Sequence, residues 1–369
     1  MVDRERVFMQ VAEAMAESAI RAGCRFYAGY PITPSTAILE YMARKLPAVG
    51  GVCMFPGTEI EGVTMVQGAA GCGVRSMIAS TSTAISLMQE TFAECANGEW
   101  PIVVVDVCRS VLQGDYHQAV KGGGHGDYRF IVLGPQNGQE AIDLMALAFE
   151  LADKYRHPVM MLVDTIIAHT TETLLLPLPT DVASLPAKEW ATNGAEGRER
   201  RAITFVGETG LSTDIIGAQR RVQRKLKQIA EDEALLETGL LEDAEVMLVA
   251  YGTAARFAKI AIERLRLEDG LKIGFFRPIT LSPYPSAQLA AAARGRRLVL
   301  CYELNAGQMI DDVRSAIYGE APIRWFGGEG KSQVGFGTAW SVEDIMGSIR
   351  ELVAAENTES AERLTEVFA

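Results

Sequence analysis

Residues 24–36 read CRFYAGYPITPST, a strand-like apolar run that ends abruptly in two prolines three residues apart, Pro31 and Pro34, with hydroxyls beside them. Each proline fixes its own φ and pushes the residue before it out of the helical region. The segment is therefore either a stiff turn or a rigid ledge that holds Thr33 at the carboxyl end of a strand, where open α/β sheets bind ligands. Further β-rich runs follow in the first half of the chain: VRSMIAS (74–80), IVVVDVC (102–108), FIVLGP (130–135) and PVMMLVD (158–164). Helical periodicity lies between them, as at 5–22 and 86–97. Such alternation predicts a parallel sheet covered by helices on both faces.

The rhythm breaks over 176–243, which holds the Pro-rich LPLPT, the polar ATNGAEGRERR and an amphipathic helix predicted at about 214–238. It resumes at EVMLVAYG (245–252), LKIGFF (271–276), RLVLCYE (297–303) and IRWFGG (323–328). The expected fold class is α/β with two doubly wound, mainly parallel sheets. A domain over 1–175 and a smaller one over 244–369 would be joined by a linker at 176–243. At 369 residues the chain is long enough for two cores.

A net charge of −12 argues against nucleic acid as a partner, and the basic RRVQRKLK (220–227) is expected to be a solvated helix face. The charged N-terminus lacks the apolar core of a signal peptide, and no run approaches the length of a membrane span, so a soluble cytoplasmic protein is expected. The six cysteines, Cys24, Cys53, Cys72, Cys95, Cys108 and Cys301, show no CxxC and are expected to be buried, reduced thiols. No metal site is suggested. GxGxxG, GxxxxGK[ST] and GxSxG are all absent, which leaves no signature for a dinucleotide fold, a P-loop or a serine hydrolase.

Four histidines remain, His117, His125, His157 and His169. His117 and His125 flank the glycine run in YHQAVKGGGHGDYR, which either lets backbone approach something closely or forms a mobile surface loop. The other informative stretch is TEIEGVTMVQGAA (58–70). Thr58 with Glu61 is a capping-box pattern, which accounts for Glu61. Glu59 is left on the face of Gly62, Val63 and Val66, which should pack inward. It is either a first-turn acid favoured by the helix dipole or a carboxylate in need of a partner.

In order, GYPITPST, TEIEGVTMVQGAA, SLMQE (86–90), VDVCR (105–109), QGDYHQAVKGGGHGDYR (113–129), VAYGT (249–253), RPITLSPYP (277–285) and ELNAGQM (303–309) resemble α subunits of thiamine-diphosphate-dependent 2-oxoacid:ferredoxin oxidoreductases. The resemblance spans nearly the whole chain. It is nearest the branched-chain (2-oxoisovalerate) type, to which VKGGGHGDYR points.

That resemblance implies a pyrimidine-binding domain over 1–175 and a transketolase C-terminal-like domain over 244–369. A β subunit would bind the diphosphate through Mg²⁺, and this chain accordingly lacks the GDG motif with its following Asn. It implies that Glu59, nine residues before Gly68, is the catalytic glutamate that bonds the pyrimidine nitrogen of the cofactor. Tyr30, Pro31 and Ser86 would also touch thiamine diphosphate, Thr33 and Arg109 would hold the substrate carboxylate, and His117, His125 and Asp127 are further candidates. The implied reaction is CoA-dependent oxidative decarboxylation of a 2-oxoacid to acyl-CoA and CO₂. Its electrons would leave through iron–sulfur clusters of γ or δ ferredoxin-like subunits to ferredoxin or a similar acceptor.

Two departures bear on the substrate. Relatives usually carry a glycine-rich insert after the arginine, whereas Arg109 is followed at once by SVLQGD, and they place Pro-Gly where this chain has Thr83-Ala84. An aryl-glyoxylate, 2-oxoglutarate or pyruvate is the alternative substrate. A non-oxidative thiamine-diphosphate transferase subunit, or a non-catalytic scaffolding homologue, is the alternative class.

Overall fold

The computed structural model describes residues 4–109, 112–195, 197, 215–330, 332–334 and 337–368. The chain forms two compact units. In order, the elements up to residue 234 are β1 (Arg6–Gln10), α1 (Val11–Arg21), β2 (Phe26–Ala28), α2 (Thr36–Lys45), β3 (Val52–Met54), α3 (Glu59–Gly71), β4 (Ser76–Ser80), α4 (Ser82–Leu87), α5 (Gln89–Asn97), β5 (Ile102–Cys108), α6 (Tyr116–Val120), β6 (Ile131–Leu133), α7 (Gly138–Tyr155), β7 (Val159–Asp164), α8 (Thr165–His169), β8 (Thr171–Leu175) and α9 (Ile215–Asp232). Then come β9 (Leu236–Gly239), β10 (Val246–Val249), α10 (Gly252–Asp269), β11 (Ile273–Pro278), β12 (Thr280–Ser282), α11 (Ser286–Ala293), β13 (Leu298–Glu303), α12 (Met309–Ile317), β14 (Ile323–Gly327), β15 (Ser332–Val334), β16 (Gly337–Ala339) and α13 (Val342–Phe368).

The first unit is built on a seven-stranded sheet of order β12-β6-β7-β5-β4-β2-β3. From β6 to β3 the pairing is parallel, and β12 joins β6 antiparallel. The central strand β5, IVVVDVC, is buried along its whole length, as its run of β-branched residues demands of a strand covered on both faces. Burying each such valine is worth about 1.5–3 kcal/mol. The chain passes from β2 outward to β3 and then returns to the other side of β2 to form β4. That reversal is a topological switch point, and the crevice beyond its carboxyl ends is where doubly wound sheets take ligands.

The expected α/β class with mainly parallel sheets is therefore what the chain adopts. The helix predicted from residue 5 is corrected at its start. Residues 6–10 form β1, paired antiparallel with β8, and the helix begins at Val11. The predicted helix at 86–97 divides into α4 and α5, with Met88 between them. The helix predicted at about 214–238 stops at Asp232, and β9 follows. Four cysteines are buried as expected, but Cys53 is half-buried and Cys72 is exposed at the C-cap of α3; all six are free thiols.

The second unit takes Leu235–Ile279, the chain from Tyr284, and a short segment ending at Gly114. Its five-stranded sheet, β14-β13-β10-β11-β9, is parallel except for β9. The switch point between β10 and β13 is filled from within the unit. Gln113, buried and left-handed at φ 65°, donates from Nε2 to the Tyr251 carbonyl at 2.7 Å and accepts from Leu304 N–H at 3.0 Å, while its own carbonyl accepts from Asn305 Nδ2 at 2.8 Å. Buried Glu303 accepts the amides of Gln308, Met309 and Ile310 and so caps α12, which accounts for the ELNAGQM stretch. Burial pushes the Glu303 pKa up, and those three amides pull against it. Among the described residues, no helix is long and apolar enough to cross a membrane.

Candidate functional site

Four segments of the first unit leave the carboxyl edge of its sheet around the switch point. After β2 come Tyr30, Pro31 and Thr33, all exposed, and the Gly29 amide bonds the Met54 carbonyl of neighbouring β3 at 3.2 Å. His169 Nε2 reaches the Pro34 carbonyl at 3.3 Å. After β3 the chain turns into α3, whose first residue is Glu59. After β4 comes α4, which carries the exposed Ser86, and after β5 comes half-buried Arg109. Because β3, β2, β4 and β5 are consecutive neighbours, Glu59, Thr33, Ser86 and Arg109 all follow strands at one edge of the sheet.

The capping box opens α3: Thr58 Oγ1 accepts the Glu61 amide at 3.2 Å, and Glu61 Oε2 accepts the Gly57 amide at 2.7 Å. Glu61 thus reaches one residue further back than Thr58. Gly62, Val63 and Val66 are buried, and Glu59 on their side of the helix is half-buried. Among the described residues its carboxylate has no hydrogen-bond or ion-pair partner. Gly68 is exposed, and nothing lies within 4 Å of a Cβ placed there.

Beneath Arg109 and Ser86 lies an acidic network. Ser82 Oγ donates to Asp115 Oδ2 at 2.6 Å and accepts the Arg109 amide at 3.0 Å. Gln118 Nε2 donates to Asp115 Oδ1 at 2.6 Å, and Gln118 Oε1 accepts from Ser86 Oγ at 2.8 Å. Asp106, in the middle of β5, is fully buried; its Oδ1 accepts the Ser82 amide at 3.2 Å, and its Oδ2 has no partner among the described residues. Burial, then the neighbouring Asp115, pushes the Asp106 pKa well up. Burial also raises Asp115, against the pull of its bonds to Ser82, Cys108 and Gln118. The Cys108 thiol is pushed well up by burial and by these carboxylates.

The glycine run is a close packing contact inside the first unit. A Cβ on Gly124 would sit 2.2 Å from the Gln89 carbonyl oxygen of α5. The Gly123 and Gly124 amides donate to the Tyr128 hydroxyl at 3.3 and 3.1 Å, and that hydroxyl donates to Gln89 Oε1 at 3.0 Å. His125 and Asp127 are exposed: the His125 amide bonds Glu90 Oε2 at 3.3 Å, and the Asp127 carbonyl takes Gln223 Nε2 at 2.7 Å. His117 is exposed on α6, next to Gln118. His157 is buried with Nε2 on the Arg129 carbonyl at 2.5 Å, and burial with the nearby Lys225 charge holds its pKa down at about 3.

Residues 17–202 match the thiamine-diphosphate-binding domain of pyruvate flavodoxin/ferredoxin oxidoreductases, and 244–336 match core domain II of pyruvate:ferredoxin oxidoreductase. The chain is 38% identical to ketoisovalerate oxidoreductase subunit VorB of Methanothermobacter marburgensis, across 93% of this chain and 97% of that one. The chain belongs to the 2-oxoacid:ferredoxin oxidoreductase family. It is also 35% identical to 2-oxoglutarate synthase subunit KorA of Methanothermobacter thermautotrophicus, across 86% of this chain and 93% of that one. Its fold superposes with a TM-score of 0.82, at 26% identity, on 2-oxoglutarate:ferredoxin oxidoreductase from Magnetococcus marinus with 2-oxoglutarate, coenzyme A and succinyl-CoA bound. That superposition covers 94% of this chain and 65% of the other. The resemblance carried by YPITP and VKGGGHGDYR is thus borne out at family level.

The donor set of this oxidoreductase subunit fits thiamine diphosphate. A half-buried carboxylate left without a partner at a helix start suits a ring nitrogen that shares a proton with it. Sequence reasoning missed Asp106, Ser82, Asp115 and Gln118. Their signal was an aspartate inside the apolar IVVVDVC, since a charge buried on a central strand needs a reason to be there.

Proposed function

We propose that this chain is the subunit of a 2-oxoacid:ferredoxin oxidoreductase that binds the pyrimidine half of thiamine diphosphate, in CoA-dependent oxidative decarboxylation of a branched-chain 2-oxoacid. The observation that carries the site is the convergence of Thr33, Glu59, Ser86 and Arg109 on the carboxyl edge of β2, β3, β4 and β5 at a switch point. The bound cofactor supplies the nucleophile and electron sink for cleaving the bond between the 2-oxo carbon and the carboxylate. Glu59 holds and returns a proton at the pyrimidine nitrogen, while Tyr30, Pro31 and Ser86 bound the ring. Arg109 grips the substrate carboxylate with its guanidinium fork, and Thr33 adds a hydroxyl donor.

We assign the pyrimidine-binding role to 1–175 and the transketolase C-terminal-like role to 244–369; of the connecting 176–243, α9 belongs to the first unit and β9 pairs within the second. A β subunit supplies Mg²⁺ and the diphosphate site, and γ or δ ferredoxin-like subunits supply the iron–sulfur clusters that pass electrons to ferredoxin. The exposure of Tyr30, Thr33 and Ser86 supports a site that is covered by a second chain. His117, His125 and Asp127, exposed as well, are further candidates for contact with cofactor or substrate.

The branched-chain reading draws on the ketoisovalerate relatives at 38% and 40% identity; 2-oxoglutarate is the second reading, favoured by the KorA relatives at 34–36%. The test is CoA-dependent viologen reduction by the anaerobically purified complex across branched, aryl and dicarboxylic 2-oxoacids. A complex active on none of them refutes the proposed reaction, and highest kcat/KM on a dicarboxylic acid selects the second reading.

A further inference from the structure

We propose that Asp115 is a positioning residue which, through Ser82 and Gln118, fixes the main chain of Arg109 and the hydroxyl of Ser86 at the edge of the sheet. The inference rests on the reading that Arg109 takes the substrate carboxylate. Ser82 is the pivot. It opens α4 at φ 29°, a left-handed conformation that a side chain disfavours and that persists only where its surroundings hold it. All three of its polar groups are engaged: the amide on Asp106 Oδ1, the carbonyl accepting from Gln118 Nε2 at 3.1 Å, and the hydroxyl between Asp115 and the Arg109 amide.

The hydrogens in this set have a forced order. The Arg109 amide can only donate, so Ser82 Oγ accepts from it and must send its own proton to Asp115 Oδ2. Gln118 Nε2 spends its hydrogens on Asp115 Oδ1 and the Ser82 carbonyl, which leaves its carbonyl facing Ser86 Oγ as acceptor. Asp115 is 8% exposed and accepts on both oxygens. An amide in its place would present an NH₂ to Ser82 or to Gln118. Facing Gln118, that NH₂ meets another donor and the Gln118 amide must turn over, losing its bond to the Ser82 carbonyl; facing Ser82, it takes away the acceptor of the hydroxyl proton.

The test assembles the complete heteromeric enzyme with Ser82→Gly, Asp115→Asn, Arg109→Ala and the double variant Ser82→Gly/Arg109→Ala. KM and kcat for the 2-oxoacid, thiamine diphosphate content and Tm are measured for each. Glycine keeps the left-handed turn and removes only the hydroxyl, so it carries the test if Asp115→Asn fails to fold. The expected result for Ser82→Gly is a KM raised about fivefold or more, with cofactor content unchanged, and a double variant no worse than Arg109→Ala alone. A merely structural role would lower Tm and cofactor content and add to the Arg109→Ala defect. The inference is overturned if Arg109→Ala raises KM while Ser82→Gly leaves it within about twofold. If Arg109→Ala itself leaves KM unchanged, the carboxylate reading falls and takes this inference with it.

Discussion

Glu59 and Glu61 are two residues apart on α3, and at 3.6 residues per turn they point to roughly opposite sides of the helix. Exchanging each for glutamine should separate catalysis from capping. Glu61 holds the Gly57 amide at 2.7 Å while Thr58 holds the Glu61 amide. A glutamine amide oxygen can still accept from Gly57, so Glu61→Gln loses only charge assistance and the dipole term, about 0.5–1 kcal/mol. Glu59 has no bond to lose among the described residues. Glu59→Gln therefore forfeits about 0.3–1 kcal/mol of dipole stabilisation and nothing else. Both variants should melt within about 4 °C of the parent. Their chemistry should diverge. In the assembled complex, hydrogen–deuterium exchange at C2 of bound thiamine diphosphate should slow about 10²- to 10⁴-fold for Glu59→Gln, the usual loss for a positioned acid–base group, and stay near parental for Glu61→Gln. If Glu61→Gln abolished the exchange and Glu59→Gln spared it, the register of α3 against the cofactor would be refuted.

Arg109→Ala should lower kcat/KM about 30- to 1,000-fold with unchanged cofactor content, and Arg109→Lys should fall between it and the parent; steady-state kinetics on the intact complex decide this. Gly124→Ala should destabilise the chain by about 1–3 kcal/mol or more because its Cβ would meet the Gln89 carbonyl at 2.2 Å, whereas Gly68→Ala, with open space above it, should stabilise the isolated chain by about 0.5–1 kcal/mol. Thermal melts of both chains report the difference, and a Gly124→Ala chain as stable as the parent would remove the packing explanation for the triplet. Asp106 has a folded pKa raised by burial, so its contribution to stability is complete below the unfolded value of about 3.9 and is lost as pH rises through the folded value. Asp106→Asn, which keeps an acceptor for the Ser82 amide, should gain in Tm over the parent as pH rises from about 5 to 9, and parallel curves would show that Asp106 does not titrate there.

The layers of the fold were legible because parallel strands buried on both faces leave runs such as IVVVDVC and PVMMLVD that surface segments do not tolerate. The start of the first helix was not legible. RVFMQ carries enough apolar spacing to extend the helical period of α1, and only its pairing with TETLL, about 160 residues away, makes it a strand. Strand β12 left even less trace, since TLS between two prolines has no strand signature and is fixed by its partner β6. At the site, the capping box identified the start of α3 from residue types alone. The choice of Glu59 over Glu61 leaned on a spacing to Gly68, a glycine that packing within this chain does not require. The triplet Gly122–Gly124 was legible as a close approach but not its target, because Gln89 lies more than thirty residues earlier in the sequence.

The turn after β4 shows how a sequence departure and a hidden network belong together. At Thr83-Ala84 neither a proline's locked φ nor a glycine is available to shape the turn. Ala84 is buried, and its amide closes on the Thr81 carbonyl at 2.8 Å, which leaves Ser82 to absorb the left-handed step. A serine at φ 29° costs of order 1–3 kcal/mol unless something offsets it. Its offset is the bonds to Asp106, Asp115, Gln118 and the Arg109 amide, each worth about 1 kcal/mol net. The buried aspartates of β5 and the QGD stretch therefore hold this turn in place with side chains. The same bonds that stabilise the turn tie it to the amide of Arg109, so a change at residues 82–84 is felt where the substrate carboxylate would bind.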